Sequence, residues 1–249
     1  MTKKIVCITG ATSGIGRATA ISCLRDDYFV VGVGLTPEHI DETLSRVPKE
    51  QRNSLMLLKG DVGNREFTES LAKEIRKVEG KLVGLVNSAG TINSGGILDC
   101  PPEEWQRILN VNLSSIFLVS RALVPLMLDG GSGSIVNISS VCALRPCASV
   151  AYSVSKAGTD MLTKCMAKDL APKRIRVNSV NPGVVRTNLQ TTAKIVDDYE
   201  GWINKMMPLH PLGRVGTVDD IIPIITYLLS EQSSWTTGAI ISVDGGRAL

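Results

Sequence analysis

Tyr152 and Lys156, four residues apart in Tyr152-Ser153-Val154-Ser155-Lys156, are the residues best suited to chemistry. On a helix, positions i and i+4 share one face, so phenol and ammonium would project together. A phenol at its ordinary pKa of about 10 is a poor general base near neutral pH. A neighbouring cation stabilises the phenolate, lowers that pKa and suits the hydroxyl to exchanging a proton with a substrate oxygen. The same spacing also arises in solvated helical pairs. Here it follows the strand-like run 134–139 and precedes a long helical pattern, a setting that favours the catalytic reading.

A second set of residues suits a phosphate. Thr9-Gly10-Ala11-Thr12-Ser13-Gly14-Ile15-Gly16 follows a strand-like run and opens a helix. Gly10 lets the chain turn sharply, Gly14 lets backbone approach a pyrophosphate, and Gly16 lets the helix pack close to the sheet. The helix N-terminus then presents unpaired N–H groups and the positive end of its dipole. A strand before and a helix after distinguish this stretch from an ordinary glycine turn.

Three residues separate the first two glycines, a spacing that resembles the short-chain dehydrogenase/reductase family. Further matches follow in order along essentially the whole chain. Asp61-Val62 resembles the pair that contacts adenine. Asn87-Ser88-Ala89-Gly90 resembles the motif closing the fourth strand, with Ser88 in place of a second Asn. Asn181-Pro182-Gly183, with Val185 and Thr187, resembles the segment that orients a nicotinamide.

The resemblance implies an oxidoreductase with NAD or NADP held by Gly10, Ser13, Gly14, Ile15 and Gly16, by Leu35 and Thr36, and by Asp61 and Val62. Asn87, Ala89 and Gly90, then Pro182, Gly183, Val185 and Thr187, complete that set, together with Tyr152 and Lys156. It makes Tyr152 the acid/base and gives Lys156 a second task on the nicotinamide ribose. A serine ending the fifth strand would bond the substrate oxygen, and Asn112 would hold a water behind the lysine. Asn112 also reads as a buried helix amide whose hydrogen bonds must be met. Two serines compete. Ser140 keeps the local match before Val141, at a spacing to Tyr152 one residue short of the family's; Ser139 keeps the spacing and breaks the match. Ser140 is favoured because the 142–150 loop can absorb a deletion. The implied reaction is hydride transfer between nicotinamide C4 and a carbonyl carbon, with Ser140 stabilising charge on oxygen.

NAD enzymes carry an acidic residue after the second strand, and NADP enzymes an Arg nearby. This chain has Gly34-Leu35-Thr36, and Ser13 in the glycine turn, so the choice stays open and leans to NADP. The 142–149 and 188–212 loops should set selectivity. The second carries Trp202, Met206, Met207 and Leu209 and reads as a lid over a neutral carbonyl or alcohol substrate, or as packing. The chain is similar to L-xylulose and tetrameric carbonyl reductases, and to 3-oxoacyl-(acyl-carrier-protein) reductases. Asp129 stands where the latter dock an acidic carrier on a basic residue, which favours a small-molecule substrate. A catalytically silent NAD(P)-binding scaffold is the alternative of another class.

The positioning elements are apolar runs at 5–9, 29–33, 54–59, 82–87, 134–139, 176–180 and 239–243, alternating with amphipathic segments. Near-continuous apolar strands suit a parallel sheet covered on both faces. The expectation is an α/β single-domain Rossmann fold: a doubly wound seven-stranded parallel sheet with helices on both faces. Thr36-Pro37, Pro101-Pro102-Glu103-Glu104 and Thr217 with Asp219 and Asp220 mark helix starts. The second of these opens a helix running towards Leu128, with Gly130-Gly131 as its end.

A net charge of +3 with scattered basic residues gives no footing for nucleic acid or a membrane surface. No leader-like segment precedes the first strand and no apolar stretch reaches about 18 residues, so a cytoplasmic protein is expected. Six dispersed cysteines read as reduced thiols packed as small hydrophobes. His39 and His210 lack partners at metal-ligand spacing, so no metal is expected. Apolar residues in 150–170 exceed what one sheet face needs, which suggests a homo-oligomer, dimer or tetramer.

Overall fold

Strands apolar on both sides must be covered twice, and the computed structural model, which describes residues 2–249, does so. Seven strands, β1 (Lys4–Thr9), β2 (Phe29–Gly34), β3 (Leu55–Lys59), β4 (Lys81–Asn87), β5 (Gly133–Ile138), β6 (Ile175–Pro182) and β7 (Ile240–Val243), form one sheet. Every pair is parallel, in the order β3-β2-β1-β4-β5-β6-β7. This is the doubly wound architecture expected from the strand runs.

Among the described residues nine α-helices join them: α1 (Gly14–Arg25), α2 (Pro37–Arg46), α3 (Arg65–Lys77), α4 (Pro102–Leu109), α5 (Ser115–Gly130), α6 (Val150–Leu170), α7 (Leu189–Thr192), α8 (Tyr199–Met206) and α9 (Val218–Leu229). On one face Leu71, Leu123, Met127 and Ala167, from α3, α5 and α6, close over Cys7, Leu85 and Ile135. On the other, Cys23, Ile221 and Ile225, from α1 and α9, close over Val6, Val86 and Val136. α9 starts as its sequence suggests, with Thr217 and Asp220 satisfying each other's backbone N–H groups in a capping box.

α4 and α5 were expected as one regular helix. They are continuous, but Asn110–Ser114 forms a widened turn of the π type. Such turns accommodate one extra residue and recur at functional sites. The segment Pro102–Gly130 is long and apolar enough to cross a bilayer by length and composition, contrary to the expectation that no apolar stretch reaches that size. Val119, Leu123 and Met127 on this segment are fully buried in the core beneath the sheet, so it is a core helix. Leu123→Ala should therefore cost about 2–5 kcal/mol in urea denaturation. A change within about 0.5 kcal/mol, the range of surface substitutions, would contradict this packing.

Candidate active site

The sheet order reverses direction between β1 and β4, the point where an open α/β sheet leaves a crevice beyond its strand ends. Gly10 turns there with φ +66°, and a Cβ on it would lie 2.9 Å from the Ala89 backbone. That approach requires glycine. Gly16 does the third job read from sequence, since a Cβ would collide with the Gly10 carbonyl; it packs the helix and does not line the crevice. Ser13, the N-cap of α1, makes no side-chain cap, and the first turn of α1 holds no acidic residue. Its amides are thus available to an anion.

From this point a cleft of about 1030 Å³ runs across the strand ends. That is the top of the ~300–1,000 Å³ range of small-molecule sites. Gly10, Ser13, Gly14 and Ile15 line one end, with Leu35, Thr36, Asp61 and Val62 beside them. Thr36 precedes α2 without capping it, which leaves its hydroxyl free. Ala89, Gly90, Pro182, Gly183, Val185 and Thr187 line the middle. Thr187 closes over the glycine turn: its Cγ2 would be 3.2 Å from a Cβ on Gly14. This cradle fits a dinucleotide.

Asn87 does not reach the cleft. Its Nδ2 donates to Asn137 Oδ1 at 2.8 Å, and Asn137 Nδ2 donates to Thr163 Oγ1 at 2.9 Å. Thr9, Asn87, Asn137 and Ser179 are register partners across four neighbouring strands. They form one buried polar row. Thr9 Oγ1 accepts the Ser88 and Ala89 N–H groups, both at 3.1 Å, which fixes the turn after β4. At the other end Ser179 donates to Asp160 at 2.9 Å, and Asn181 donates to Asp160 at 2.7 Å and to the Ser140 carbonyl at 3.1 Å.

α6 lies across this row and brings Tyr152 and Lys156 to the cleft wall together with Ser140. Its start is fixed by Ser149, whose Oγ accepts the Tyr152 N–H at 3.1 Å and donates to Asn93. Both Ser139 and Ser140 border the cleft, but their hydroxyls differ. Ser139 Oγ donates to the Lys156 carbonyl at 3.0 Å and is used within the fold. Ser140 Oγ lies beside the Tyr152 phenol and accepts the Cys142 N–H at 3.1 Å. Asn112, fully buried in the widened turn, is a buried amide with its bonds met. It accepts the Thr91 N–H at 2.8 Å and donates to the Thr91 carbonyl at 2.9 Å and to Ser155 at 3.0 Å.

Lys156 Nζ donates to the Ile138 carbonyl at 2.8 Å and stands 5.6 Å from the Tyr152 ring centroid. Burial lowers its pKa from 10.5 to about 8, against the opposing pull of Asp160. Burial also pushes the Tyr152 phenol up, with Cys142 and Cys147 adding to the rise and the Ser140 contact opposing it. The expectation that the ammonium holds this phenol below its ordinary value is therefore corrected: removal from water is the larger effect.

Several contributors escaped the sequence reading. Asp160 shares the helix face of Lys156 at i+4, the same spacing that singles out Tyr152, and could have been found by it. His210 ties the lid segment to the body, accepting the Val184 N–H on Nε2 at 3.2 Å while Nδ1 donates to the Met206 carbonyl at 2.9 Å. Of the four apolar residues read as lid lining, Trp202 and Met206 border the cleft; Met207 and Leu209 do not. Cys142 and Cys147, read as packing, both line it. Asp129 sits at the end of α5, whose Gly130 abuts the start of β4 at the opposite end of the sheet from the cleft. It gives no ground for excluding an acidic carrier from this cleft. Among the described residues no group of three His, Cys, Asp or Glu side chains could hold a metal.

Comparison with known proteins agrees with this geometry. A family model described as Enoyl-(Acyl carrier protein) reductase matches residues 10–248. The chain is 32% identical to 3-oxoacyl-(acyl-carrier-protein) reductase FabG of Thermotoga maritima, over 99% of this chain and 98% of that one. It is also 32% identical to Dehydrogenase/reductase SDR family member 6 of Rattus norvegicus, with the same coverage. The chain belongs to the short-chain dehydrogenase/reductase family. Among solved structures, L-sorbose reductase from Gluconobacter frateurii, complexed with NADPH and L-sorbose, superposes with a TM-score of 0.91 at 27% identity, covering 100% of this chain and 97% of that one. This family member is thus an oxidoreductase of the NAD(P)-binding type.

Burial of Lys156 has a measurable consequence. The unfolded chain holds that proton up to about 10.5, the folded chain only to about 8. Between those values the unfolded state binds more protons, so the stability due to Lys156 rises with pH across that window. Lys156→Met removes the rise. In urea titrations the stability of wild type minus variant is expected to increase over that window; a constant difference would show that Lys156 is not desolvated.

Proposed function

We propose that the chain reduces a small carbonyl compound to its alcohol and runs the reverse, with Tyr152 as acid/base and NADP as the preferred cofactor. The observation that carries this reading is the convergence of Ser140, Tyr152 and Lys156 on one wall of the cleft that begins at the glycine turn.

The glycine turn and the α1 N-terminus would hold the pyrophosphate, and Asp61 and Val62 the adenine. The ribose hydroxyls near the reacting ring would meet Tyr152 and Lys156. When bound, the reduced nicotinamide supplies a hydride to the carbonyl carbon. Ser140 donates to the carbonyl oxygen and stabilises the charge that grows there. Tyr152, kept protonated by burial, then gives its proton to that oxygen. Lys156 stabilises the resulting phenolate. Asn112, anchored to Thr91 and Ser155, would hold a water behind Lys156.

NADP is supported by the free Thr36 hydroxyl and by the lack of a carboxylate at Leu35 and Thr36, where one would repel a 2′-phosphate. The sorbose reductase neighbour was crystallised with NADPH. The apolar Trp202 and Met206 lining supports a neutral substrate. A second reading, an acyl group on an acidic carrier, draws on Arg145 and Arg247 at the cleft and on the activity named for the Thermotoga relative. Exposed Phe117, Val154 and Met161 on α5 and α6 support assembly into a homo-oligomer through those helices.

Tyr152→Phe is expected to lower turnover by about 10²–10⁴-fold while NADPH binding, read by fluorescence, persists. Ser140→Ala should lower turnover by about 10²-fold, whereas Ser139→Ala should cost about 1 kcal/mol of stability and little turnover. Turnover lost in Ser139→Ala and kept in Ser140→Ala would reverse the assignment. Because Lys156 loses its proton near pH 8, kcat/KM for reduction should be level below that pH and fall above it. A rate that climbs through pH 8 would contradict the role given to the ammonium.

A further inference from the structure

Cys142 and Cys147 lie on the loop between β5 and α6, and the reaction proposed above uses neither. The fold brings both thiols, five residues apart on one loop, to the cleft wall near enough to influence each other, and both are half-buried. The Cys142 N–H is bonded to Ser140 Oγ at 3.1 Å. The Cys147 N–H is bonded to Ser153 Oγ at 3.2 Å, and Cys147 Sγ lies 3.4 Å from the same oxygen. The backbone at both cysteines is therefore held by a side-chain oxygen.

Their surroundings make the two sulfurs unequal. Cys147 stands two residues before Ser149, the N-cap of the 21-residue α6, where the positive end of a helix dipole favours a thiolate. Hydrogen bonds from Cys142 and Ser153 hold Cys147 below the ordinary thiol range, and the same contact pushes Cys142 up. A thiolate is the nucleophile in exchange with a disulfide, and its neighbour is the thiol that resolves the mixed species. Cys7 and Cys23 are the contrast: both are buried in the core and pushed up to about 12 by burial, so they stay inert.

We propose that Cys142 and Cys147 are a redox-sensitive dithiol that a small disulfide entering the cleft converts into an intramolecular disulfide. Cys147 sulfur attacks one sulfur of the small disulfide, forms a mixed disulfide and releases one thiolate. Cys142 gives its proton to that thiolate, attacks Cys147 sulfur and releases the second thiolate, which takes its proton from solvent. The protein loses two hydrogens and two electrons, and the small disulfide becomes two thiols. The new bond pulls on the Cys142 backbone, whose N–H rests on Ser140, and so switches off turnover. The effect on turnover rests on the proposed function; formation of the bond does not.

The test is to incubate the full-length protein with oxidised glutathione, alkylate the remaining thiols and map peptides by mass spectrometry. The peptide spanning Cys142 and Cys147 should become two hydrogens lighter and recover with dithiothreitol. Cys142→Ser should instead retain glutathione on Cys147, and Cys147→Ser should leave Cys142 unmodified. Glutathione collecting on the exposed Cys165 while Cys142 and Cys147 still alkylate would overturn the proposal. In the oxidised protein, carbonyl reduction should fall about 10²-fold, the scale of a 1 Å misplacement, while NADPH still binds. Unchanged reduction after the bond has formed would overturn the switch. If the reduced protein reduces no carbonyl at all, the proposed function fails and the mass result stands.

Discussion

Everything near the cleft depends on a line of buried polar side chains at the ends of the four central strands. Thr9, Asn87, Asn137 and Ser179 occupy one register row in a sheet rich in Val, Ile and Leu. A polar group out of water must find a partner or destabilise the fold by about 1–3 kcal/mol. Thr9 finds its partners on the turn after β4, Asn137 and Ser179 find theirs on α6, and Asn87 donates to Asn137 within the row. The need to satisfy these groups fixes how far α6 can slide or rotate along the sheet. Tyr152 and Lys156 inherit their position from that constraint. Asn87 Oδ1, buried without a partner, is the weak link of the row.

The same dryness that makes the row specific governs the titrating groups. Lys156 leaves water and keeps one carbonyl and the nearby Asp160 as compensation, so its proton is held less tightly than on the surface. The Tyr152 phenol resists ionisation for the same reason. Two residues whose charged forms would attract each other are each held towards neutrality by one low-dielectric wall. Such a pair rests as a proton donor next to a cation and does not rest as an ion pair.

Much of this was legible in the chain, for identifiable reasons. The glycine turn and the Tyr152–Lys156 spacing are local, so geometry follows from sequence distance alone. The seven-stranded parallel sheet and its two-sided cover followed from short, nearly continuous apolar runs. Other features needed three dimensions or a finer reading. Strand alternation already implied that Ser139 points the way Asn137 does, towards α6, and that Ser140 points the other way. Asn87 lies within a cofactor motif, yet its parity turns it into the sheet. The partnership of Cys142 with Cys147 depends on the path of an irregular loop, which no periodicity reports. Asp129 misled because alignment with a function says nothing about which end of the sheet a residue occupies.

The widened turn at Asn110–Ser114 makes the long helix a part with a phase. Each residue turns an α-helix by about 100°. The widened turn takes up one residue, so the halves on either side of it keep the phase they would have without that residue. Wound regularly, the same residues would rotate everything N-terminal to the turn by that angle relative to α5, and Asn112 could not face Thr91 and Ser155 while Leu123 and Met127 stay beneath the sheet. The extra residue is thus the device that lets one continuous helix meet the site with one half and the core with the other.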